Sequence, residues 1–235
     1  MRPNEPQGSG RATRSDFSFD STRTLDSNME LHESVSGWQM GNDSWSLRVR
    51  GYVYDARVST MKSHAVGRDV SGLAFLDFDV LAASSLMDGQ STPPSPLVRI
   101  EASDAEIASH LADYCLRMDR IWAAFGGASV DNLPKLAVWM IRNRNANGAG
   151  DADLSMACAA YVYGVTELSL ELLAEFEMGM NRRMQVEPSE FVDLYGLDIP
   201  GALQLGPSRQ LVTEIATANL ADAARLRSMI KGGDA

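Results

Sequence analysis

Trp45-Ser46-Leu47-Arg48-Val49-Arg50-Gly51-Tyr52-Val53-Tyr54 is the stretch that decides the fold. Trp45, Leu47, Val49, Gly51 and Val53 fall on one side of an extended chain, and Ser46, Arg48, Arg50, Tyr52 and Tyr54 on the other. Strict period two with one apolar row predicts a half-buried strand of an antiparallel sheet. Just upstream, Gly41-Asn42-Asp43-Ser44 has the chemistry of a tight turn, so Leu31 to Met40 is the expected hairpin partner. Downstream, a second alternation sets Ala74, Leu76, Phe78 and Val80 inward and Leu73, Phe75, Asp77 and Asp79 outward. Asp88 to Pro96 carries three prolines and reads as a linker or ordered loop, and Leu97-Val98-Arg99-Ile100 as a short last strand.

Beyond Glu101 the period changes to that of helices. Ser103-Asp104-Ala105-Glu106 is a capping box, followed by Ile107, Leu111, Tyr114, Met118, Ile121, Trp122 and Phe125 at three- and four-residue spacing. Gly126-Gly127 stops that helix, and Asp131 with Pro134 starts another. Leu136 to Ile141 is apolar almost all round, which predicts a central, buried helix. Residues 152–180 read as one helix broken near Gly164 or as two, with Thr166 a new cap. Pro188 opens a short helix to Gly196, and Leu211 to Ile230 form the last one. The expected class is α+β: a small antiparallel region over about 29–100, then a predominantly helical body. The expected division is an N-terminal arm (1–27), a strand-rich segment (28–100) and a helical domain (101–235).

Composition narrows the functional classes. The chain has 235 residues, 45% hydrophobic, enough to bury a core without staples. Two cysteines, Cys115 and Cys158, make no disulfide framework and suit a reducing compartment. The first residues lack the apolar core of a secretory signal, and Leu154 to Thr166, the longest uncharged apolar run, is too short to span a bilayer. A cytoplasmic protein, or one in an assembled particle, is expected, with no membrane partner. The net charge of −10 repels phosphate backbones and disfavours nucleic acid as a partner without excluding a local groove.

No cofactor is implied. His32, His64 and His110 are far apart, and no HxxxH, CxxC, GxSxG, Walker or GxGxxG spacing occurs, so neither a metal nor a catalytic set is assigned. Asp77-Phe78-Asp79 ends an apolar run and is the most enzyme-like phrase. It is similar to the nucleophile strand of haloacid-dehalogenase-type phosphatases. Val80-Leu81 stands where that strand has glycine-threonine, however, and no later lysine and acidic pair follows. The competing expectation is a solvent-facing charge pair on an edge strand. Asn143 to Leu154 partly imitates a calcium loop, with Asn143, Asn145, Asn147 and Asp151 at ligand positions, but Leu154 replaces the bidentate glutamate. The same residues serve as helix ends and caps.

Interaction residues are expected in three places: Phe17 and Phe19 in the arm, Arg48 and Arg50 on the strand, and Arg182 and Arg183 beside Met178, Met180 and Met184. The arm is too polar to fold alone, yet its alternating phenylalanines suit pairing with an exposed sheet edge. The expected function is a non-enzymatic structural or assembly subunit, virion-like or otherwise homo-oligomeric, whose partner is itself or another protein. The alternatives are a small acidic regulatory protein or an enzyme using Asp77 and Asp79.

Overall fold

The computed structural model describes residues 17–40, 44–93, 95–99, 102–147, 149–185 and 209–232. The fold is α+β, an antiparallel sheet on the N-terminal side followed by a mostly helical body. The chain forms two compact units, Met1–Ser59 with Ser71–Asp151 and Thr60–Val70 with Ala152–Ala235.

The first unit is built on β1 (Phe17–Thr24), β2 (Met29–Met40), β3 (Ser44–Asp55), β4 (Leu76–Asp79) and β5 (Leu97–Arg99). Strand order is β1-β2-β3-β4, with β5 also on β3. The expected hairpin is present: β2 and β3 pair antiparallel from Met29↔Asp55 to Met40↔Ser44. The connection between β1 and β2 is an aspartate turn, in which Asp26 Oδ1 accepts the amides of Asn28 (2.7 Å) and Met29 (2.8 Å). One row of the sheet is apolar, and Leu31, Leu47, Val49, Val53, Leu76 and Phe78 are buried along it. Gly51 lies in that row opposite Phe78, and a Cβ there would overlap the phenyl ring. The glycine therefore makes room for the largest fully buried side chain of the sheet.

Helices α2 (Val80–Met87), α3 (Asp104–Ala124) and α4 (Leu133–Arg142) complete this unit. Ser103 Oγ accepts the Glu106 amide at 3.2 Å, as the capping box requires. α2 packs against α3, and Tyr114 of α3 donates its hydroxyl to the Leu47 carbonyl at 3.3 Å. Burial pushes the Tyr114 phenol up to about 12, with the Asp79 carboxylate adding to the rise and Arg117 opposing it.

Helix α1 (Ala56–Val66) runs from the first unit into the second, which also contains α5 (Leu154–Val162), α6 (Thr166–Gln185) and α7 (Arg209–Gly232). α5 is buried all round from Leu154 to Ala160. Its small residues, Ala157, Cys158, Ala159 and Ala160, let α6 and α7 approach closely. Asp153 caps it through the Met156 amide at 2.7 Å, and Gly164 at φ 76° turns the chain into α6. Ser169 of α6 donates to the Ala157 carbonyl at 2.7 Å. From α1, Lys62 Nζ donates to Ser155 Oγ at 2.6 Å, and the Ala65 carbonyl accepts Arg225 Nε of α7 at 2.7 Å.

Several details depart from the sequence expectation. The alternation over 73–80 is a strand only at 76–79; Phe75, expected outward, is buried, and Val80 already begins α2. Helices α1 and α2 replace segments given no element or read as strand. α4 is buried on one side only, through Leu133, Leu136, Ala137, Met140 and Ile141; the all-round buried helix is α5. α3 and α4, which follow residue 101, share the first unit with the sheet. The helix expected at Pro188 and the first sixteen residues of the arm lie outside the described residues. Among the described residues no helix is long and apolar enough to cross a membrane.

The two thiols differ sharply. Cys115 is exposed, whereas Cys158 is buried and its thiol is pushed up to about 12 by that burial, with Lys62 opposing the rise and Asp153 adding to it. A thiol reagent is expected to label one cysteine in the native protein and both in denaturant. Rapid native labelling of Cys158, read by peptide mass, would show that the α5 packing opens readily.

Candidate functional site

The polar row of the sheet brings together Arg48, Arg50, Asp77 and Asp79, four of the side chains singled out in the sequence. Its register runs Asp20↔Ser34↔Arg50↔Asp79, then Thr22↔His32↔Tyr52↔Asp77, then Thr24↔Glu30↔Tyr54. Alternation on β3 puts Arg48, Arg50, Tyr52 and Tyr54 on this side because the opposite row is filled by the core.

The interactions on this face run diagonally between neighbouring strands. Arg50 Nη2 forms an ion pair with Asp77 Oδ1. Arg48 Nε stands 4.0 Å from Asp79 Oδ2. The His32 and Tyr54 rings lie 4.4 Å apart at 45°. Along β2, His32 Nε2 and Glu30 Oε2 are 2.9 Å apart. Diagonal partners are within reach of long side chains across a twisted antiparallel pair.

This geometry bears directly on the carboxylate phrase. Asp77 faces a guanidinium, and Asp79 Oδ1 accepts the Ala82 amide at 3.0 Å as the N-cap of α2 while Oδ2 turns to Arg48. Both carboxylates of the phrase are thus engaged by the sheet and the first turn of α2. Two carboxylates answer two guanidinium groups, and Glu30 adds a further negative charge to the same face.

The calcium-like loop is also accounted for by local chemistry. Asn143 Nδ2 donates to the Trp139 carbonyl at 2.9 Å, closing the end of α4. Asn147 is fully buried; its Nδ2 donates to the Met140 carbonyl at 2.8 Å and its Oδ1 accepts the Ala149 amide at 3.1 Å. Its own carbonyl accepts the Asp79 amide at 2.9 Å, tying this loop to β4. Leu154, at the twelfth position, is buried in α5. Among the described residues no group of three or more His, Cys, Asp or Glu is placed to hold a metal ion. Millimolar calcium is therefore expected to leave the melting temperature unchanged. A rise abolished by Asp151→Ala would reverse that reading.

The remaining interaction residues are dispersed. Phe17 and Phe19 belong to β1, where the register sets them opposite Gly37 and Val35 of β2. Arg182 and Arg183 are exposed in the last turns of α6, where cations complement the helix C-terminus. Of the adjacent methionines, Met180 is buried and Met178 exposed. What sequence reasoning missed is β1 itself: Asp26-Ser27-Asn28 is a turn signal, and it makes Phe17–Thr24 the first strand of a hairpin. No protein-family model, no curated protein and no solved structure matches this chain.

Proposed function

We propose that the chain is a non-enzymatic structural or assembly subunit that associates with further copies of itself. The observation that carries this reading is the edge strand β1, eight residues long at one end of the sheet order. A long, regular edge strand is a template for another chain. Most oligomers of soluble proteins are symmetric assemblies of one chain. The matched charges of the polar face support the same reading. Arg50 pairs with Asp77 and Arg48 stands near Asp79 across β3 and β4, an arrangement suited to holding the sheet together.

Light scattering on the full chain across a wide concentration range tests this. The expected mass is an integer multiple of the chain's own mass, reached at micromolar concentration. A monomer at every concentration would sink the assembly reading and leave the acidic helical surface of a partner-binding protein as the better account.

A further inference from the structure

Natural edge strands are guarded by charged side chains, proline, a bulge or brevity. β1 carries two charges, Asp20 and Arg23, but no proline, and over its eight residues its register on β2 advances one residue at a time without a bulge. The far side of the sheet is closed differently. There β4 and β5 are four and three residues long, and the Asp79 amide is taken by the Asn147 carbonyl. The outer side of β1 carries no strand among the described residues.

We propose that this side pairs antiparallel with β1 of a second copy, about a two-fold axis through Ser21 and normal to the sheet; the inference rests on the self-association reading above. Such an axis keeps polar row beside polar row and apolar row beside apolar row, so paired positions differ by an even number. Few registers then remain. An axis through Asp20 sets Asp20 opposite its own copy, and like charges directly opposite are destabilising. An axis through Thr22 pairs only Asp20 to Thr24. The axis through Ser21 pairs Ser18 to Thr24, sets Asp20 opposite Thr22, and brings the aromatic position 19 opposite the guanidinium position 23. Self-complementarity of residue types thus selects one register, and the product is a single sheet running through both copies.

Disulfide trapping in the full chain tests both surface and register. In a Cys115→Ser background, Ser21→Cys places two thiols across the axis, where facing Cα atoms about 4.5–5.5 Å apart suit a disulfide. Most of the protein is expected to run as a covalent dimer after mild oxidation. Thr24→Cys in the same background is expected to form no covalent dimer, because its opposite position is Ser18. A mixture of Ser18→Cys and Thr24→Cys chains should crosslink again. Light scattering of the parent separates the two failures. A defined oligomer without the Ser21→Cys crosslink, or with equal crosslinking by Thr24→Cys, overturns the β1 seam but keeps self-association. A monomer overturns both. Crosslinking of Ser21→Cys only after removal of residues 2–16 would mean that the edge is covered within the chain, and the proposal fails.

Discussion

Phe78→Ala is expected to destabilise the first unit by about 3–5 kcal/mol, the range for deleting a buried phenylalanine. Phe78 has no exposed surface and sits on β4 opposite Gly51 of β3, where the missing Cβ makes the space its ring occupies. The reciprocal change makes the argument specific. Gly51→Ala is expected to cost about 1–3 kcal/mol by overpacking, although alanine suits a strand better than glycine. Gly51→Ala combined with Phe78→Leu should then be less destabilised than the sum of the two changes, with a coupling of about 0.5–3 kcal/mol. Chemical denaturation of the four proteins measures this cycle. Additive costs would mean that the ring and the glycine do not share one space.

The same glycine shows what a sequence displays and what it hides. Period two located β3, and the turn at 41–44 located its partner, because both signals are local and repeat over many residues. Ser103, Gly126, Gly164 and Asp153 marked helix ends for the same reason, each satisfying or releasing backbone groups within one turn. Gly51 looked like one more member of the apolar row. Its reason lies in Phe78, 27 residues away, and depends on a register that alternation alone does not reveal. Helix α2 was hidden because Val80-Leu81-Ala82-Ala83 is apolar throughout, and a short apolar run has no period to read. α4 and α5 exchange the expected roles because the large apolar residues of α4 stand out in the sequence more than the small ones of α5. The buried position went instead to a run of small ones that lets neighbouring helices come close.

The candidate site was legible in its parts and not in its pairing. In the sequence Arg48 and Arg50 read as a binding face and Asp77 and Asp79 as a carboxylate pair. Strand order joins them, since β4 returns antiparallel beside β3 and sets the acids diagonal to the bases. Two features that each suggested chemistry therefore answer one another. His32 and Glu30 carry no spacing signal in the sequence. They join the face only through the register of β2 on β3. The arm was the opposite case. Its polar composition suggested a free tail, but Phe17–Thr24 gains a ladder on β2, which composition alone does not weigh.

Trp122→Ala is expected to cost about 3–5 kcal/mol in the full chain, and Trp139→Ala distinctly less. Trp122 lies on α3 with 2% of its surface exposed, whereas Trp139 is half-buried on α4, edge-on to Phe125 at 5.9 Å. Trp122→Phe should be milder still. The Trp122 Nε1 is buried with no acceptor among the described residues, so losing that donor offsets part of the lost volume. These costs depend on what covers α3. Its neighbour α2 and the Leu47 carbonyl that holds Tyr114 both precede residue 101. A fragment of residues 101–235 is stripped of both, and it also loses Lys62 and Ala65, which bond to α5 and α7. That fragment is expected to unfold without a cooperative transition, and Trp122→Ala to change its melting little. Thermal unfolding by circular dichroism, run on the fragment and the full chain in parallel, decides the matter. A sharp transition in the fragment that keeps the full Trp122 cost would mean that α3 finds its core among the later helices and not on the sheet.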